Sequence, residues 1–247
     1  MITTMQGIST GLKTDALVAA VLAQEGKGVT ALQARESRNK TRITALNSLK
    51  TGLNNLSISL AVASDRPTAT SVQDVVTKFN AMLTAYKKDA AVTRNSDGSI
   101  NQGPLATDFS AKSIVVQTRG ALTSSSGSTT HPNLSSIGIK TQADGTLSFN
   151  SSTFEAALAA DPVGVQSLLA FTDAKSTITN ITASTPSSPI VSNLHLIEEQ
   201  NKNLALQINS GLAALARRKK VLDAQFTKME TLIGQMKAAA GQLTGLA

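Results

Sequence analysis

The chain has no cysteine, no tryptophan, a single tyrosine at position 86 and only 3% aromatic residues. Without cysteine neither a disulfide framework nor a thiolate metal site can form, so the fold must hold by packing alone. The two histidines, His131 beside Pro132 and His195 further on, have no Cys, His or carboxylate at metal-ligand spacing. No motif supplies an activated nucleophile either, so no metal, no cofactor and no enzymatic activity are expected. Asn95-x-Asp97-Gly98 lacks the acidic ligands and closing Glu of a calcium loop and reads as a turn. Gly7 and Gly11 make no phosphate loop, because no strand precedes them and no Gly-Lys-Ser/Thr follows. Met1 to Gln6 are uncharged and the first basic residue is Lys13, so no cleaved secretory signal is expected. The longest charge-free stretches, 120–139 and 176–197, are rich in Ser and Thr, which argues against a membrane span.

What is present is aliphatic and basic. Hydrophobic residues make up 41% of the 247, and the net charge is +7. That charge sits at the ends: seven basic against three acidic residues in 1–60, seven against four in 191–247, and nine against nine between them. Arg217-Arg218-Lys219-Lys220 is the one dense basic cluster, it lies inside a heptad pattern, and no stacking aromatics accompany it. A solvated helix face is therefore expected there rather than a nucleic-acid site.

Periodicity carries most of the information. Ile208, Leu215, Leu222, Met229, Met236 and Leu243 fall seven apart, and a companion row four residues on reads Leu212, Lys219, Phe226, Ile233 and Ala240. Two such rows make a coiled-coil seam. A helix from Asn193 to Leu243 would be about 75 Å long. Leu46, Leu49, Leu53, Leu56 and Leu60 repeat at three and four, a second seam of the same kind. Upstream, Leu12, Leu17, Val21 and Leu22 outline a shorter helix, with a break expected at Gly26-Lys27-Gly28 because each interior glycine costs about 1 kcal/mol. These seams predict packing against copies of the same chain or a related partner.

Ser71 with Asp74 reads as a helix start, followed by the apolar face Val72, Val75, Val76, Phe79, Leu83 and Tyr86. Gly103-Pro104 predicts a new helix running through Phe109 to Leu122. Alternation at Ile137, Ile139 and Thr141, then Asp144-Gly145, then Leu147 and Phe149 predicts a hairpin over 136–149. Ser152 with Glu155 suggests a capping box, and Asp161-Pro162 the start of a further short helix. By composition 172–190 is a linker. The division is thus 1–28, a helix over 29–63, a helical middle over 64–171, the linker, and a C-terminal helix over 191–247. The fold class is mainly α, with elongated terminal coiled-coil helices and a small helical middle domain bearing one β-hairpin.

Gly7 to Glu25 resembles the N-terminal signature of the flagellar filament-capping family, hook-associated protein 2, with Lys13 where Asp is usual. Phe79-Asn80, Gly103 to Asp108, Leu134 to Ile139, Asp144 to Phe149, Ala157-Leu158, Asp161-Pro162 and Gln225 to Glu230 are similar to later segments of that family, in order. The family usually inserts a β-rich head where this chain has only Ala63 to Thr70, so the resemblance is to a short form without that head. It implies a structural, homo-oligomeric cap subunit, about five to a ring, at the distal tip of the bacterial flagellum. The terminal segments 1–28 and 191–247 would act as legs, guiding flagellin polymerisation and preventing its loss. Flagellin, the hook-filament junction protein and a flagellar export chaperone are the implied partners, with type III export to the extracellular tip, and with neither nucleic acid nor membrane involved. A flagellin-like or junction subunit is the alternative. The implied assembly interface is the set of seam residues Leu12, Leu17, Val21, Leu46, Leu49, Leu53, Leu56, Leu60, Ile208, Leu215, Leu222, Phe226, Met229, Ile233, Met236 and Leu243.

Overall fold

The computed structural model describes residues 13–124 and 130–244. The elements are α1 (Thr14–Glu25), α2 (Lys27–Asp65), α3 (Ala69–Asp89), β1 (Val92–Arg94), β2 (Ile100–Gln102), α4 (Phe109–Thr123), a 3-10 turn (Leu134–Ile137), β3 (Ile139–Thr141), β4 (Leu147–Phe149), α5 (Ser151–Ala160), α6 (Pro162–Leu168), α7 (Thr172–Thr182) and α8 (Pro189–Thr244). The architecture is mainly α, as the periodicities predict. By contacts the chain divides into a central unit, 38–199, and a terminal unit, 1–37 with 200–247.

The central unit is built on the leucine ladder of α2. Leu46, Leu53, Leu56 and Leu60 are fully buried and Leu49 nearly so, together with Val72, Val75, Val76 and Phe79 of α3. Spacings of three and four place those side chains on one helix face, so both helices present a continuous apolar stripe. The ladder is therefore internal core, not the assembly seam its heptad spacing suggests. The two spacings look alike in sequence, and only the presence of α3, α4 and α7 in the same unit decides which applies. Gly52 lets α2 and α3 come close: a Cβ there would lie 3.1 Å from Met82 Cγ.

Polar groups hold the remaining elements in place. Asp108 is 5% exposed and caps α4 by accepting from Ala111 N at 3.0 Å. Its other oxygen accepts from Arg42 Nε of α2 at 2.9 Å, and Asn193 Nδ2 of α8 donates to the same carboxylate at 3.1 Å. Asn80 of α3 brackets β4, donating through Nδ2 to Leu147 O and accepting Leu147 N through Oδ1, both at 2.8 Å. Its side-chain amide thus occupies the place of a neighbouring strand. At the β3–β4 turn the Asp144 carboxylate accepts from Thr146 Oγ1 and N, which holds its pKa below the ordinary aspartate value, and Lys87 adds to the effect.

Several local expectations are corrected. The stretch 172–190 is not a bare linker: α7 occupies Thr172–Thr182 and buries Ala174, Ile178 and Ile181 against α4. Ala174, Ile178 and Ile181 repeat at four and three, a helical spacing that the Ser/Thr-rich composition of the stretch masks, and it is α4 that provides the burial. There are two hairpins among the described residues, since β1 pairs with β2 around the Asn95–Ser99 turn. Both of its strands are exposed along their whole length, which removes the alternation that would reveal them. Residues Pro104 to Thr107 form turns, and α4 starts only after the Asp108 cap. Ile137 belongs to the 3-10 turn, not to β3. Thr68, boxed with Ser71, caps α3, and Asn150 caps α5 in place of the Ser152–Glu155 box. Asp161 caps α6 with Pro162 in the first turn, as its sequence predicts.

In the terminal unit, α1 and the start of α2 lie antiparallel to the C-terminal part of α8. Thr14 meets Glu230, Glu25 pairs with Arg218, Gly26 faces Leu215, and Val29 faces Gly211. Residue numbers rise on one helix as they fall on the other, the mark of an antiparallel pair. The predicted break at Gly26 is slight: Gly26 N donates to Leu22 O and Thr30 N to Gly26 O, so the helical ladder continues through it. Gly211 permits the close approach, because a Cβ there would lie 2.6 Å from Val29 Cγ2.

Three expected outcomes follow from these contacts. Asp108→Ala should lose about 3 kcal/mol in chemical denaturation, from a lost cap and from buried partners left unsatisfied. Gly211→Ala should lower the melting temperature although alanine is the better helix former, and Val29→Ala in the same chain should restore it. The depressed Asp144 pKa contributes stability that is present above the ordinary aspartate value and is lost as pH falls through the native one. The stability difference between the natural chain and Asp144→Asn should therefore be open at neutral pH and close in acid.

Candidate assembly surface

Among the described residues no group of three or more His, Cys, Asp or Glu could hold a metal ion, and no helix is long and apolar enough to cross a membrane. A groove of about 540 Å³ lies between α2 and α3 in the central unit, lined mainly by apolar side chains such as Ala45, Leu49, Met82 and Leu105, with Ser48, Thr51 and Asn55 among them. Its ionisable members include Lys78, which lies 3.8 Å from Asp74, and Tyr86, whose pKa is raised by burial and by the Asp108 charge. Exposed apolar surface on the terminal unit is the more distinctive feature.

The structure sorts the expected interface residues into three groups. Leu46, Leu49, Leu53, Leu56 and Leu60 are central core and unavailable to a partner. Ile208 and Leu222 are buried in the terminal unit, and Leu215, Phe226, Met229 and Ile233 are half-buried there. Their heptad row is satisfied within the chain, against a facing row of Thr14, Val18, Leu22, Gly26 and Val29. Leu17, Val21 and Met236 remain exposed, Met236 at 71%. Leu12 lies outside the described residues, and Leu243 falls within α8.

Val18 and Leu22, not Leu17 and Val21, form the inner face of α1, because the helix continues almost unbroken into α2 and the row must reach Gly26 and Val29. Leu17 and Val21, one turn apart, are left on the solvent side. On α8, Leu206, Leu212, Val221, Leu232 and Met236 are likewise exposed. A two-helix pair buries one stripe of each helix and leaves the rest in water, so these apolar residues stay exposed. The sequence pattern points to the inner stripe, since the strongest heptad is the buried one. Of the exposed residues of α8, Leu212 and Met236 belong to the two heptad rows, whereas Leu206, Val221 and Leu232 lie outside them and give no periodic signal.

Charge is arranged around this surface. Arg218 pairs with Glu25 at 3.1 Å, and Lys219 pairs with Asp223 at 2.8 Å, a contact that raises the Lys219 pKa. Thr14 Oγ1 donates to Glu230 Oε1 at 3.5 Å, a buried polar contact in an otherwise largely apolar seam. Such a pair favours one register over its neighbours.

The family described as flagellar hook-associated protein 2 C-terminus matches residues 32–238. No curated protein matches the chain. Among solved structures, the flagellar cap protein FliD from Escherichia coli, domains D1-D2-D3, is similar at 22% identity and a TM-score of 0.42, over 51% of this chain and 35% of that one. The chain thus spans about a third of that structure. Because the family match runs through both compact units and leaves out only the ends, the chain belongs to the flagellar hook-associated protein 2, or FliD, family.

Proposed function

We propose that this chain is a structural subunit of the cap at the distal end of the bacterial flagellar filament. It forms a homo-oligomer of about five copies, guides flagellin into place and prevents its loss. The observation that carries this reading is the family match over 32–238. The exposed apolar residues of the terminal unit, Leu17, Val21, Leu232 and Met236, support it, since a unit of two paired helices with such outer faces is suited to packing against further subunits. Export through the flagellar type III apparatus, with a chaperone and without a cleaved signal, belongs to the same reading, as does contact with the hook-filament junction protein.

The gripping surface in this reading is the outer one. Phe226, Met229 and Ile233 are half-buried, so altering them would disturb the fold of the terminal unit rather than test its grip. Leu232→Asp with Met236→Asp changes only exposed side chains, at 59% and 71%, and should leave folding stability within about 0.5 kcal/mol. In a strain whose only cap gene encodes this variant, short filaments and flagellin monomer in the culture supernatant are expected. Full-length filaments with a clean supernatant would remove the outer stripe from the mechanism. If the unaltered chain fails to restore filaments to a capless strain of its own species, the cap reading itself falls.

A further inference from the structure

The terminal unit carries ten basic and five acidic residues, against thirteen and eleven in the central unit. Within it, Arg218 and Lys219 are paired inside the chain, whereas Arg217, Lys220 and Lys228 are exposed and form no ion pair among the described residues. At 3.6 residues per turn these three share the face of α8 opposite Ile208, Leu215 and Leu222. Leu206 and Val221, 69% and 48% exposed, lie on or beside the same face. The result is a strip of unneutralised cations flanked by exposed aliphatic side chains.

We infer that this outer strip of α8 is the docking site for an acidic amphipathic helix presented by the filament subunit. The inference rests on the cap reading and deepens it by naming the contact chemistry. Aliphatic residues among the cations fit a partner helix whose own face mixes carboxylates with apolar side chains, so that desolvated and charged contacts form together. A second copy of the same face is excluded by like charge. The central unit, with basic and acidic residues nearly in balance, offers no comparable counter-charge. Nucleic acid would call for stacking aromatics, and the only aromatic residue in the described part of the terminal unit is Phe226, which is half-buried.

The test uses the purified full chain and sheared filaments from the same organism, with binding followed by co-sedimentation. Binding should weaken about tenfold between 50 and 200 mM salt, as charge-steered contacts do. Arg217→Glu with Lys220→Glu should weaken it at least tenfold at low salt, with an unchanged circular dichroism spectrum and melting temperature. Carbodiimide should join Lys220 or Lys228 to a carboxylate of a filament subunit. Salt-insensitive binding, full binding by the reversed variant, or cross-links confined to a second copy would overturn the inference. Tighter binding to phosphatidylglycerol vesicles or to duplex DNA than to filaments would overturn it too. The capless strain separates the two readings: if the unaltered chain and the charge-reversed variant both restore filaments, the cap reading stands and the acidic-helix contact falls.

Discussion

A buried carboxylate must be satisfied on every side, and Asp108 meets that demand by drawing three segments of the central unit to one point. It caps α4, receives Arg42 from α2 and receives Asn193 from the first turns of α8. Because α2 and α8 come from opposite ends of the sequence, this contact places residues more than 150 positions apart in one network. Around it the core closes: Ile190, Leu194 and Ile197 of α8 join the leucines of α2 and the buried face of α7 in a single apolar cluster. Leaving such a charge unpaired in that setting would cost several kcal/mol, so the arrangement is specified rather than merely permitted.

Once the two long helices are brought together in the central unit, their other ends form a much thinner structure. The terminal unit has two helical faces to bury against one another, with close approaches at Gly26 and Gly211 and a buried polar contact from Thr14 to Glu230. Two helices cannot cover themselves all round. Leucines and a methionine remain in water on the outside, and cations stand beside them. The incompleteness that would be a liability in an isolated domain is what the proposed cap role would require.

Much of this was legible in the residues. The long C-terminal helix, the leucine ladder of α2, the apolar face of α3 and the Asp144-Gly145 turn all follow from local spacing, because a 3.6-residue period or a positive-φ glycine leaves its mark over a few residues. The family could also be named from short motifs in order, and the match over 32–238 agrees. The hairpin of β1 and β2 was not legible, since strands exposed on both faces alternate in nothing. α7 was hidden differently: Ala174, Ile178 and Ile181 do repeat at helical spacing, but the Ser/Thr-rich composition around them reads as a linker.

The sequence by itself determined where helices run and which stripe of each is apolar, since those depend on residue type and period alone. What an apolar stripe faces is a different matter, because a heptad looks the same whether its partner is another chain, a distant part of its own, or the inside of a core. Tertiary structure assigned Leu46 to Leu60 to the central core, and it turned the row Ile208, Leu215 and Leu222 inward against α1 and α2. Of the residues those spacings single out, it left Leu17, Val21, Leu212 and Met236 exposed. That choice depends on which distant segments are close in space, and no local pattern contains it.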